Sequence, residues 1–341
     1  MTAHPLTMAE AATREPALRR ERHYGDRVVA CFAERPGNLH ALFAEALAAD
    51  PEREALVHGA QRLSRADLDG EIARLAGGLA ARGVGRGNRV ALLLRNGVPF
   101  VALVLAIARL GATLVPLNVR DGMPGLAHCL ADSGARVLVA EADLAAVVPP
   151  PEATPDLAHR IAVDGAADGF EPFADLADAP VATATPVGED DPAAILYTSG
   201  TTGRPKGAML TGLGIVHSAT NYRDAMGLGP DDRTVVVVPM SHVTGLVAGI
   251  ATAVRAGAAI VVERDFDAVR FLRLAADERM TFAVLVPAMY NLLFERARLA
   301  DFDLSAWRIG AYGGAPMPDP PIRRLAEALP GLGLMNLYGA T

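Results

Sequence analysis

Apolar residues recur along this chain in two rhythms, and the rhythm switches many times. His40–Ala49 reads as a helix and Ala55–His58 as a short strand. Ser64 sits at an N-cap position with Asp67 three residues on, and Leu68, Ile72, Leu75 and Leu79 then mark one apolar helical face. That helix stops at Arg82-Gly83, and Gly83, Gly85 and Gly87 carry the turn. Strand-like runs follow at Arg89–Leu94, Thr113–Leu117, Arg136–Ala140 and His159–Val163. Helical runs fall between and after them at Pro99–Leu110, Pro124–Ser133 and Ala142–Val148. Residues 149–192, rich in Pro, Ala, Asp and Thr, read mostly as a connecting segment. Beyond it the alternation resumes, with strands predicted at Ala193–Tyr197, Thr234–Pro239, Ala258–Glu263, Thr281–Val286, Trp307–Tyr312 and Leu332–Tyr338. The matching helices are Leu213–Met226, Leu246–Arg255, Asp267–Glu278, Ala288–Leu299 and Pro320–Leu329.

The strands are continuous apolar runs, which suits a parallel sheet covered on both faces. Strand–helix alternation over the whole length predicts an α/β fold with mostly parallel sheets. At about 150 residues per domain, 341 residues suggest two units. We divide the chain into an N-terminal arm (1–35), a first α/β subdomain with its connecting segment (36–190) and a second α/β part (191–341). The arm is polar, uneven in pattern, and expected to be loosely attached.

Composition narrows the function classes. The chain is 51% apolar and 21% charged, far from a disordered composition. The 32 Lys and Arg against 39 Asp and Glu leave a net charge of −7, with no electrostatic footprint for nucleic acid. Cys31 and Cys129 fit free thiols in a reducing compartment better than a disulfide framework. The first residues lack the apolar core of a signal peptide. The apolar stretches Val98–Ala108 and Val243–Val254 fall short of the ~20 residues of a membrane span. A soluble cytoplasmic protein is expected.

The densest chemistry is Thr198-Ser199-Gly200-Thr201-Thr202-Gly203-Arg204-Pro205-Lys206-Gly207, directly after an apolar strand. Four hydroxyls, three glycines and the only lysine of the chain fall in these ten residues. Glycines let a backbone approach a ligand and expose its N–H groups; hydroxyls add donors, and the lysine adds a point charge. That combination suits a polyphosphate. A Walker A loop fails on spacing, because Gly203 lies three residues before Lys206 and Gly207 stands where Ser or Thr is required. The Gly83, Gly85, Gly87 series follows a helix and precedes a strand, the wrong order for a dinucleotide loop.

Thr198–Gly207 resembles the phosphate-binding signature of the adenylate-forming superfamily, which includes acyl-CoA synthetases and aryl-CoA ligases. Two further segments match in order: Gly313-Gly314-Ala315-Pro316 is similar to the adenine-contacting loop, and Tyr338-Gly339-Ala340-Thr341 to the start of the Tyr-Gly-x-Thr-Glu motif. The resemblance implies a large N-terminal domain of two mostly parallel sheet subdomains. It also implies a two-step reaction, in which a carboxylic acid attacks the α-phosphate of ATP to give an acyl-adenylate, and the thiol of CoA then displaces AMP. By the same resemblance Thr198, Ser199, Thr201, Thr202 and Lys206 hold the phosphates, with Gly200 and Gly203 giving backbone access. Gly313 to Pro316 line the adenine site, Tyr338 stacks on the base beside Gly339, and Thr341 contacts the α-phosphate. Thr202 helps hold Mg²⁺. His242 sits where acyl pocket and nucleotide meet, with Gly245, Val247 and Ala248 bordering the acyl pocket. Amino-acid-activating relatives place an Asp near here. No acidic residue lies between Pro239 and Arg255, which favours an acid without an amine, fatty or aryl. The family's metal-binding Glu would follow Thr341, and its hinge and lysine-bearing C-terminal lid would follow that. The chain is therefore expected to be the ATP- and acyl-binding fragment of such a ligase. A non-catalytic nucleotide-binding remnant, or an acyl-AMP ligase serving a carrier-protein thiol, are the alternatives.

Overall fold

The computed structural model describes residues 17–177, 179–198 and 204–339. Its first helices begin where polar caps meet apolar runs. Asn38 Oδ1 accepts from Ala41 N at 2.9 Å ahead of α1 (Leu39–Ala49). Ser64 Oγ accepts from Asp67 N at 3.1 Å and Asp67 Oδ2 accepts from Ser64 N at 3.0 Å, closing a capping box ahead of α2 (Arg65–Ala81). Each such cap contributes about 1 kcal/mol. In α3 (Val98–Arg109) every residue from Phe100 to Ile107 is buried. A helix apolar all round belongs inside a core, and α3 lies in the cluster that joins side chains of both sheets, among them Leu92, Val137, Val236 and Ile260. The remaining α-helices are α4 (Met123–Ser133), α5 (Gly212–Met226), α6 (Thr252–Ala256), α7 (Ala268–Asp277), α8 (Pro287–Arg296) and α9 (Asp319–Ala328). Among the described residues no helix is long and apolar enough to cross a membrane.

The strands are β1 (Leu18–His23), β2 (Arg27–Phe32), β3 (Glu54–His58), β4 (Gln61–Ser64), β5 (Arg89–Leu93), β6 (Thr113–Pro116), β7 (Val137–Glu141) and β8 (His159–Val163). They continue as β9 (Glu171–Pro172), β10 (Pro192–Thr198), β11 (Lys206–Thr211), β12 (Arg233–Val236), β13 (Ala259–Val262), β14 (Phe282–Leu285), β15 (Ile309–Tyr312) and β16 (Gly333–Asn336). One seven-stranded sheet runs β11-β10-β6-β5-β7-β8-β9 and the other β16-β15-β14-β12-β13-β3-β4. Within them only the β10–β11 and β3–β4 pairs are antiparallel. The fold is α/β with two mostly parallel sheets and flanking helices, as the alternation predicts.

Four features differ from the sequence reading. The sheets do not follow a division at residue 190. β3, near the N-terminus, pairs with β13 through Leu56 and Ile260, while β10 and β11 complete the first sheet. Apolar periodicity marks which face of a strand is buried but not which strand lies beside it, so this exchange leaves no local trace. Residues 18–32 of the arm form an antiparallel hairpin with Cys31 and Phe32 buried. Its strand Leu18-Arg19-Arg20-Glu21-Arg22-His23 is charged because ion pairs, rather than apolar contacts, fasten it. Ala142–Val147 is a 3₁₀-helix, and the helix read over 246–255 is a π-helix, Thr244–Ala251, running into α6. Thr252 Oγ1 donates to Val247 O, five residues back, at 2.9 Å, which matches the wider π turn. Finally, Lys206–Thr211 is a strand antiparallel to β10, so Thr198 and Lys206 on either side of the glycine- and hydroxyl-rich segment lie opposite each other in one ladder.

Candidate functional site

The parallel strands end at a common edge, and a cavity of about 810 Å³ opens there. The loop after β6 supplies Asn118 and Asp121, the end of β10 Tyr197 and Thr198, and the segment after β12 His242 and Val243. The π-helix adds Thr244, Val247 and Ala248, α5 adds Ser218 and Tyr222, and the loops after β15 and β16 add Gly313, Gly314, Tyr338 and Gly339. Open α/β sheets place ligands at the carboxyl ends of their strands because successive connections diverge there and leave a crevice.

Six of the residues singled out in the sequence, Thr198, His242, Gly313, Gly314, Tyr338 and Gly339, line this one cavity, with Val247 and Ala248 on its apolar wall. Tyr338 holds its ring out at the rim, 91% exposed. Gly313 is required by close approach, since a Cβ there would stand 2.7 Å from Leu337 O. Leu337 N also donates to Tyr312 O at 2.7 Å, so the two loops that carry Gly313 and Tyr338 are tied together. Ala315 and Pro316 follow on the exposed side of that loop and are not part of the lining. Lys206 is exposed on β11, directly across the ladder from Thr198, and is likewise outside the lining. Gly245 is buried in the first turn of the π-helix, against Pro239 and Met240, and is not part of the lining. Ser199, Gly200, Thr201, Thr202, Gly203 and Thr341 lie outside the described residues.

Two polar residues escaped the sequence reading. Asn96, 4% exposed, donates from Nδ2 to Val238 O at 3.0 Å and Glu263 O at 3.2 Å. Its Oδ1 accepts from Met240 N at 2.9 Å. It thereby pins the turn that presents His242. Nothing in a lone Asn after a strand announces three long-range bonds. We expect Asn96→Ala to destabilise the fold by roughly 2–3 kcal/mol, because it leaves buried backbone groups unpaired. Denaturant unfolding measures this, and a loss under about 0.5 kcal/mol would exclude the pinning role. Asp121 lines the cavity half-buried. Burial raises its carboxyl pKa above the usual range, and His242 opposes that shift more weakly.

The foot of the β10–β11 pair is fixed from α4. Tyr197 Oη donates to Asp132 Oδ2 at 2.7 Å, and His128 Nε2 lies 2.9 Å from Pro205 O. Burial, then the Asp132 hydrogen bond, pushes the Tyr197 phenol well above its ordinary pKa, so it stays a neutral donor.

Comparison with known proteins identifies the family. The family model described as AMP-binding enzyme matches residues 43–341. The chain is 36% identical to a feruloyl-CoA synthase of an Amycolatopsis species, over 85% of this chain and 57% of that protein. It is 35% identical to the indoleacetate–CoA ligase of Aromatoleum aromaticum, over 86% of this chain and 58% of the relative. The inhibitor-bound N-terminal domain of FACL13 from Mycobacterium tuberculosis superposes with a TM-score of 0.81 at 28% identity, covering 89% of this chain and 76% of that one. The chain thus spans a little over half the length of the curated relatives it matches. With a family match over nearly all its described length and the strand-end cavity those motifs share, the chain belongs to the AMP-binding enzyme family.

Proposed function

We propose that this protein activates a carboxylic acid without an amine, aryl or fatty, as its acyl-adenylate at the expense of ATP, and passes the acyl group to CoA. The observation that carries the reading is the convergence of Thr198, His242, Gly313, Gly314 and Tyr338 on one strand-end cavity. The named activities of the relatives, feruloyl-CoA synthase and indoleacetate–CoA ligase, support the same reaction class.

The obstacle in the first step is that an anion must approach a polyanion. Placement, hydrogen-bond donors and positive charge therefore count for more than a protein nucleophile. In this reading the exposed Tyr338 ring stacks on the adenine, and the absence of side chains at Gly313 and Gly314 leaves room for a planar base. The Thr198 hydroxyl at the end of β10 and the Lys206 ammonium opposite it face the phosphates. Val247 and Ala248 offer an apolar wall to the acyl chain. His242, exposed at the junction of nucleotide and acyl regions, orients the carboxylate. The expected Mg²⁺ would supply charge neutralisation at the phosphates; its candidate ligand Thr202 lies outside the described residues.

Pyrophosphate release across a panel of aryl, short-chain and long-chain acids, run on the complete gene product, tests the proposal. Acid-dependent release is expected, highest for an uncharged aryl or alkyl acid. A folded, ATP-binding protein that releases no pyrophosphate with any of them would overturn it in favour of a nucleotide-binding remnant.

A further inference from the structure

Away from the cavity, the N-terminal hairpin presents an unexplained group of ligating side chains. In the β1–β2 register Arg19 lies opposite Cys31, Glu21 opposite Val29 and His23 opposite Arg27. Glu21, His23 and Cys31 therefore share one face, the face turned to the body of the protein. One donor atom from each of the three falls within 4.8 Å of the others. None of them lines the strand-end cavity.

The His23 side chain is 8% exposed, and its Nδ1 lies 2.8 Å from Asp190 Oδ1. In a neutral ring, a carboxylate that accepts from Nδ1–H leaves Nε2 as a lone pair. That Nε2 is buried and has no hydrogen-bond partner among the described residues. It faces Glu21 Oε2 at 3.5 Å and Glu189 Oε2 at 3.9 Å, both acceptors. A buried lone pair aimed at carboxylate oxygens is unfavourable unless a metal cation or a proton lies between them. Ligand atoms around a tetrahedral zinc stand about 3.3–3.8 Å apart, so the His23–Glu21 separation already fits and Cys31 needs only a modest approach.

Arg35 holds both glutamates from the other side. It donates to Glu21 Oε1 at 2.9 Å and Oε2 at 2.7 Å, and to Glu189 Oε1 and Oε2 at 2.7 Å each. Arg19 reaches Glu21 as well. The two guanidiniums thus bind Glu21 and Glu189, while Asp190 is held by His23 Nδ1 and Tyr24 N; around a neutral His23 ring the three carboxylates leave one negative charge uncompensated. A divalent cation that displaces the Cys31 thiol proton to solvent adds one net positive charge and brings the group to neutrality.

We propose that Glu21, His23 and Cys31, with Glu189 as the nearest fourth donor, form a structural site for a divalent cation of the zinc class. It has Asp190 as the partner orienting His23, and it fastens the N-terminal hairpin to the segment leading into β10. The mixed nitrogen, sulfur and oxygen donor set suits zinc or cobalt(II) and disfavours Mg²⁺ and Ca²⁺.

Cobalt(II) titration of the chelator-stripped 341-residue chain tests the site, followed by zinc competition. One equivalent of cobalt should give a thiolate-to-cobalt charge-transfer band with tetrahedral ligand-field absorption, both removed by one equivalent of zinc. Cys31→Ser should abolish the charge-transfer band, while Cys129→Ser should leave it unchanged. His23→Gln should weaken cobalt binding at least about tenfold, and Asp190→Asn by a similar factor. The wild-type spectrum needs no variant to fold. Absence of the thiolate band there, or a band that survives Cys31→Ser, would overturn the proposal and leave His23 as a buried imidazolium in an ion-pair network.

Discussion

Replacing Lys206 with Ala is expected to weaken ATP binding by roughly tenfold to a hundredfold while leaving thermal stability unchanged. The two halves of this expectation have separate causes. Lys206 is exposed at the start of β11 and makes none of the ion pairs seen among the described residues, so its ammonium contributes little to the fold. A lysine–phosphate contact at ~4 Å has a Coulomb energy near 4 kcal/mol at an effective dielectric of 20, and desolvating the ammonium reduces that to about 1.5–3 kcal/mol. No other lysine exists in the chain to take over. Lys206→Arg should recover part of the affinity, because it keeps the charge but spreads it over a planar fork of different reach. Calorimetric titration with a non-hydrolysable ATP analogue, beside a melting curve, checks both halves. Unchanged affinity in a folded Lys206→Ala protein would remove the phosphate role from this hairpin.

The same hairpin shows which features the sequence disclosed and which it hid. Thr198–Gly207 was legible because its chemistry is local: hydroxyls, glycines and a charge within ten consecutive residues. The antiparallel pairing of β10 with β11 on either side of it was not, since no strand is assigned to Lys206–Thr211 until Ile195 and Met209 are seen side by side in the ladder. The Ser64–Asp67 capping box was legible for the same local reason. The exchange of β3 into the far sheet was not, because strand neighbours are chosen by packing between distant segments. The cavity follows this pattern. Tyr338, Gly313 and His242 carry recognisable neighbours in sequence. Asn96 acts through residues more than a hundred positions away, Met240 among them, and Asp121 meets His242 only across the folded cavity; neither has a motif of its own. The N-terminal hairpin was misread because its strands lack apolar alternation. Arg35 replaces that signal with a buried double ion pair to Glu21 and Glu189, a form of adhesion that periodicity does not register.

Gly245→Ala should damage the protein far more than Gly249→Ala, although both add one methyl group to the same π-helix. At Gly245 the new Cβ would lie 2.6 Å from Met240 Cα and 2.8 Å from Pro239 C, and closer still to Pro239 O. These are backbone atoms of the turn that Asn96 clamps, so they cannot step aside without breaking its hydrogen bonds. Overpacking against a fixed backbone costs about 3 kcal/mol or more. The displaced turn carries His242, so the apparent KM for the acid should rise more than the KM for ATP. At Gly249 the Cβ would meet Val236 Cγ1 and Cγ2 at 3.5 Å, ordinary contact distance. There the gain in helix propensity sets the scale, and stability should change by about 1 kcal/mol or less. Both positions are buried in the same element, so propensity and chain entropy largely cancel between the two variants. The difference in their unfolding free energies then measures the close approach at Gly245 alone. Equal losses in the two variants would mean that the turn before the π-helix can yield, and His242 would then owe its position to something other than this contact.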